Sequence, residues 1–134
     1  MANEILRALL ADDARFLDSA SVGRTLSSDP NIASQKAVAT LARKAGEIIG
    51  VWDGATYRYP KFQFDTAGRP RKCLKELIGA LPGDTDGTRR DAALWLYAPD
   101  GALDEKSPAE MFPIDPDRVI ALCMRQLGTS TASE

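Results

Sequence analysis

Histidine is absent from this chain of 134 residues, and its absence excludes much of the chemistry found at enzyme sites. Without imidazole there is no Ser-His or Cys-His pair, no histidine metal ligand and no imidazole acid–base catalyst. The sequence also lacks a glycine-rich phosphate loop and a Cys-x-x-Cys motif. Its carboxylates are scattered over predicted helix starts and loops. We therefore expect a protein that binds rather than catalyses, with no cofactor and no metal site.

Cysteines and long apolar runs are also scarce. The two cysteines, Cys73 and Cys123, lie within helical patterns, and we expect them to be reduced core residues rather than a disulfide. No run approaches the ~18 apolar residues of a membrane span. The first residues lack the basic and apolar segments of a signal peptide. The sequence therefore predicts a cytoplasmic protein that makes no membrane contact.

Charge is distributed unevenly along the chain, although the net charge is only −2. Residues 34–75 contain nine basic and three acidic side chains, whereas residues 76–134 contain five basic and eleven acidic ones. A strongly basic segment within an acidic protein indicates a local site for a polyanion. The acidic last part suits either a different partner or solubility.

The first half of the chain has the pattern of three helices followed by a hairpin. Apolar spacing predicts helices over residues 3–19, 21–26 and 33–45. Asp53-Gly54 separates two β-rich runs, which predicts a two-residue hairpin turn. Because helix, turn, helix and hairpin follow in this order, we expect a winged helix-turn-helix-like DNA-binding half over residues 1–68.

The third predicted helix and the hairpin supply the expected DNA contacts. We assign the inner face of this helix to Ala37, Val38, Leu41, Ala42 and Ala45. In a helix-turn-helix the second helix enters the major groove, and basic residues on a wing contact the flanking backbone. The predicted DNA-binding residues are therefore Ser34, Gln35, Lys36, Thr40, Arg43, Lys44, Tyr57, Arg58 and Lys61. Further phosphate contacts are expected from Arg69, Arg71 and Lys72.

The second half, residues 69–128, is predicted to be a helical bundle that binds a partner, with a disordered tail over residues 129–134. Ser107 and Glu110 form a capping-box pattern at one helix start, and Asp115-Pro116 starts the last helix. Trp95 lies in an apolar run and is expected in the core. The fold class is therefore mainly α with a small β-hairpin wing.

Two segments resemble a known family. The first contains Gly50-Val51, then the run from Tyr57 to Asp65, then Gly68-Arg69. The second contains Ala93-Leu94-Trp95-Leu96, Pro99, Ala102-Leu103 and the run from Ser107 to Phe112. Together they resemble the Xre/MbcA/ParS-type antitoxin family with its C-terminal toxin-binding domain. The resemblance implies a dimeric antitoxin and transcriptional regulator that binds double-stranded operator DNA and docks on a RES-type toxin.

Two other functions remain open from the sequence. In one, the chain is a stand-alone DNA-binding regulator whose second half only forms the homodimer. In the other, it is an adaptor that binds no nucleic acid. A toxin gene beside this one favours the antitoxin, and failure to bind any DNA at low salt favours the adaptor.

Overall fold

Helices dominate the fold. The computed structural model describes residues 2–27, 31–81 and 86–127, and it is 55% helix with seven helices in that part. This confirms the mainly α class with a small β element. The helices are α1 (Ala2–Leu10), α2 (Ser19–Leu26), α3 (Ile32–Lys44), α4 (Leu74–Ala80), α5 (Asp86–Leu96), α6 (Pro108–Met111) and α7 (Pro116–Gln126).

Three short strands form one antiparallel sheet in the order β1-β3-β2. They are β1 (Phe16–Leu17), β2 (Val51–Trp52) and β3 (Tyr57–Pro60). The predicted hairpin is present as β2 and β3, but the prediction of a two-residue turn is wrong. The loop spans residues 53–56, because one carboxylate oxygen of Asp53 accepts the backbone N–H groups of Ala55 and Thr56, both at 2.8 Å.

The first helix is shorter than the predicted span of residues 3–19. It ends at Leu10, and the chain then turns at Asp12, whose side chain accepts the N–H of Ala14 at 2.9 Å. Phe16 pairs with Pro60 in the sheet, so the apolar residues assigned to the end of a helix form a strand instead. A carboxylate that satisfies nearby backbone N–H groups favours a turn over a continued helix.

Buried apolar side chains form two clusters. The larger one joins α1, β1 and β2 to helices α4–α7 and contains Leu10, Phe16, Leu77, Leu96, Leu103 and Val119 among others. The smaller one lies between α2, α3 and β3 and consists of Val22, Ala39, Ala42, Ile48, Tyr59 and Phe64. Because α1 packs with the second half of the chain, the core does not divide at residue 68. The domain boundary stays a prediction.

A buried glutamine fixes the segment that leads into β2. Gln63 is fully buried in the 3₁₀ turn Lys61–Gln63 that follows β3. Its Oε1 accepts the N–H of Ile49 at 2.6 Å, and its Nε2 donates to the carbonyls of Ile49 at 2.9 Å and Pro60 at 3.0 Å. One side chain therefore supplies hydrogen bonds that no strand supplies there.

The second half largely follows its capping signals. Ser107 and Glu110 form the predicted capping box at α6, and the side chain of Asp115 accepts the N–H of Arg118 at the start of α7. The polar run over residues 84–88 predicts a loop, and this boundary is wrong because α5 already begins at Asp86. The turn residues expected at 28–30 and 82–83 and the tail expected at 129–134 lie outside the described residues.

The two cysteines differ in burial. Cys123 is buried in α7, whereas Cys73 is half-buried just before α4 with φ of 73°. Both are free thiols. Within the described ranges, every helix is too short or too polar to cross a bilayer.

Candidate nucleic-acid interface

Helices α2 and α3 pack unusually closely. A Cβ placed on Gly23 would overlap the backbone carbonyl of Gln35, so only glycine fits at this crossing. Each helix begins at a side-chain cap: Asp18 accepts the N–H of Ser21 at 2.7 Å, and Asn31 accepts the N–H of Ser34 at 3.0 Å. The caps and the close crossing fix how α3 is presented to solvent.

The buried face of α3 differs from the predicted one. Gln35, Ala39 and Ala42 are buried, whereas Ala37 and Ala45 are exposed and Leu41 is 67% exposed. The prediction is confirmed for Ala42 and wrong for Ala37, Leu41 and Ala45, because small residues occur on both faces of this helix. The crossing with α2 selects the face that approaches Gly23. Gln35 is 3% exposed, so this predicted DNA contact lies in the helix interface instead.

The outward face of α3 retains three of the predicted polar residues. Lys36 and Lys44 are exposed, and Thr40 is half-buried between them. They lie at positions i, i+4 and i+8, which fall on one side of a helix. Ser34 is half-buried in the first turn. This face is therefore basic and open to solvent.

Arg43 and Tyr57, both predicted DNA contacts, bind each other. The Arg43 guanidinium lies 3.6 Å from the centre of the Tyr57 ring, and this ring packs edge-on against Trp52 at 5.0 Å. The Arg43 stem also lies against Gly50. The Arg43 side chain therefore attaches the end of α3 to the hairpin, and its assignment as a DNA contact stays a prediction that this geometry does not support.

We therefore expect Arg43→Ala to destabilise the protein. Removal of the cation–π interaction and of the packed stem should lower the free energy of unfolding by about 1–2 kcal/mol. Lys44→Ala, at an exposed neighbouring position, should change it by less than about 0.5 kcal/mol. Urea unfolding followed by tryptophan fluorescence measures both. Equal stabilities of the two variants would contradict the structural role of Arg43.

Arg58 is also a structural residue. Its side chain is only 13% exposed. Its Nε donates to the carbonyl of Leu10 at 2.7 Å, and a second guanidinium nitrogen contacts the carboxylate of Asp13 at 2.6 Å. A cation at the end of a helix satisfies a carbonyl that has no partner within the helix. Arg58 therefore ties β3 to α1, and its prediction as a DNA contact is not supported by this geometry.

The remaining predicted cations lie beyond the hairpin. Lys61 is exposed and lines a groove of about 440 Å³ together with Arg15, Phe62, Tyr97 and Glu110 among others. Arg69 and Lys72 are exposed. Arg71 is half-buried, and its Nε donates to the carbonyl of Phe62 at 2.8 Å. Lys61 therefore borders a groove whose lining includes no described residue of α3.

The electrostatics of α2 and α3 favour an anion. The two helices contain Arg24, Lys36, Arg43 and Lys44 and no acidic residue. The nearest carboxylate in sequence, Asp18, is occupied as the cap of α2. Its hydrogen bonds from the backbone N–H and the hydroxyl of Ser21 hold its pKa below the ordinary value. The negative charge of Asp18 therefore lies at the start of α2, where it accepts the N–H of Ser21.

The loop after the 3₁₀ turn packs beside α2. Gly68 has φ of 83°, and a Cβ there would overlap the methyl group of Thr25. Backbone N–H groups of Arg69 and Ala67 donate to Asp65, which lowers the pKa of that carboxyl. The adjacent Arg69 side chain is exposed, so this loop adds a cation close to α2.

The second half offers a separate surface. Trp95, predicted in the core, is half-buried, and its ring N–H donates to Gln126 at 2.7 Å. Gln126 donates in turn to Asp100 at 3.1 Å. Two apolar side chains of this half are open to solvent: Ile114 is 66% exposed and Met124 is 61% exposed.

Sequence reasoning missed Gly23, Gln63 and Leu41. An isolated glycine inside a helical pattern was the available signal for Gly23, since such a glycine often marks close packing. Gln63 gave no signal, because its partners are backbone groups.

Comparison with protein-family models, with curated proteins and with solved structures finds no match to this chain.

Proposed function

We propose that this protein binds double-stranded DNA through the outward face of α3, as a transcriptional regulator. The observation that carries the proposal is the basic, acid-free face of α3, held against α2 at Gly23. The element order α1-β1-α2-α3-β2-β3 and the strand order β1-β3-β2 support a winged helix-turn-helix arrangement. In such an arrangement the second helix of the pair enters the major groove.

The hairpin acts mainly as a support for α3. Its loop, residues 53–56, contains one acidic and no basic residue, so it offers no side-chain cation to a phosphate. Its strands instead hold Tyr57 beneath Arg43. The affinity for DNA comes from lysines of α3 and arginines nearby, which displace counterions from the phosphates.

We further propose that the second half binds a protein partner, in line with the resemblance to antitoxins. The acidic charge of residues 76–134, with eleven acidic and five basic side chains, and the exposed Ile114 and Met124 side chains are the features that this half offers to a protein partner. A toxin of the RES type is the partner that the resemblance implies. A homodimer formed through the same residues is the alternative. Sedimentation of the purified chain, alone and with a co-expressed toxin, separates the two partners.

The DNA proposal is tested by removing two charges from α3. Lys36→Ala with Lys44→Ala should weaken DNA binding and reduce the slope of log K against log salt by about two units, because each lysine removed leaves one phosphate without its cation. Both lysines are exposed, so folding should be retained. Fluorescence anisotropy with a labelled duplex at several salt concentrations measures the slope.

The matched control removes the same charge elsewhere. Lys75 and Lys106 are exposed lysines of the second half, and their replacement by alanine changes the net charge equally. That variant should keep nearly the wild-type slope. If both double variants weaken binding to the same extent, the attraction is a general charge effect, and α3 is not the DNA-binding element.

A further inference from the structure

Leu41 is the largest apolar side chain on the outward face of α3 among those described. It is 67% exposed; among its neighbours one turn away, Ala37, Lys44 and Ala45 are exposed and Val38 is half-buried. Apolar surface contributes favourable free energy only when contact with another surface removes it from water. Its position on the proposed DNA-binding face raises the question of what it contacts there.

The side chains best suited to paired hydrogen bonds with bases are turned away from this face. Arginine reads guanine and glutamine reads adenine through two hydrogen bonds in the major groove. Here Gln35 is buried against α2 and Arg43 is held on the Tyr57 ring. The outward face is left with two lysines, the Thr40 hydroxyl and apolar surface.

The edges of the bases expose one apolar group in the major groove, the C5 methyl of thymine. Lys36 and Lys44 lie on either side of Leu41 along α3, so their charges suit the phosphates that border a groove. We propose that Leu41 reads thymine through this methyl group. The inference rests on the proposed function and names the base feature that the DNA-binding face recognises.

The test compares thymine with uracil, which differ only in this methyl group. A duplex recovered by the full chain from a pool of random-sequence duplexes is resynthesised with deoxyuridine in place of each thymidine in turn. At one or two positions the wild-type affinity should fall about threefold to fivefold, as expected for one buried methyl group. Leu41→Ala should weaken binding of the thymine duplex by about the same factor and remove the difference between thymine and uracil, while the salt slope stays unchanged because no charge is lost.

The matched control is Ile5→Ala, which removes another exposed apolar side chain, on α1, and should keep the thymine preference. If uracil and thymine duplexes bind equally at every position, the role of Leu41 is overturned and DNA binding stands. If the wild-type chain binds no duplex, the proposed function falls as well. A lower assembled mass of Leu41→Ala in sedimentation would show that a second copy covers Leu41, which overturns the inference.

Discussion

Replacing Gly23 by alanine is expected to lower the free energy of unfolding by about 3 kcal/mol and to abolish DNA binding. An added Cβ would overlap the backbone carbonyl of Gln35, and backbone atoms cannot move aside as a flexible side chain can. Helices α2 and α3 must then separate, which opens the small cluster around Val22 and Ala39. Overpacking of this kind costs about 1–3 kcal/mol and occasionally more. Urea unfolding measures the decrease.

The chain contains its own control for this substitution. Gly79 lies within α4, and a Cβ added there meets no atom within 4 Å. Alanine is a better helix former, so Gly79→Ala should stabilise the protein by about 0.5–1 kcal/mol. A Gly23→Ala variant that gains stability as the Gly79→Ala variant does would refute the close crossing of α2 and α3.

Features specified by neighbouring residues could be predicted from the sequence. The capping box of Ser107 and Glu110 and the cap at Asp115 depend on side chains within three positions of the backbone groups that they satisfy. These caps could be predicted because the physical cause and its effect lie in the same few residues.

The orientation of α3 could not be predicted in this way. Its alanines fit a buried or an exposed face equally well, so periodicity did not decide between Leu41 and Ala39. The buried face is determined by Gly23 on another helix.

The sequence also shows that a side chain is charged but not what it binds. Arg58 reaches the carbonyl of Leu10, 48 positions earlier, and is thereby withdrawn from the predicted DNA contacts.

Gln63 is expected to be among the most costly polar residues to replace. Gln63→Leu fills a similar volume but leaves the N–H and carbonyl of Ile49 and the carbonyl of Pro60 without this partner. Each buried group left unsatisfied costs about 1–3 kcal/mol, so loss of three partners should lower the free energy of unfolding by at least about 3 kcal/mol. Gln126→Leu is the control, since that glutamine also bonds through its side chain but is exposed, and it should cost less than about 1 kcal/mol.

A second variant at this position gives a pH-dependent result. Gln63→Glu keeps an oxygen for the N–H of Ile49 but places an ionised carboxylate against two carbonyls in a buried site, which disfavours the charged form. The pKa of the introduced carboxyl therefore lies above its unfolded value of about 4.3. Its penalty should be small below that pH and grow as the pH rises through the folded pKa. Urea unfolding at pH 4 and pH 7, each relative to wild type, should show the larger destabilisation at pH 7. An equal destabilisation at both values would mean that water reaches position 63 and that the hydrogen bonds to Ile49 are not what holds the start of β2 in place.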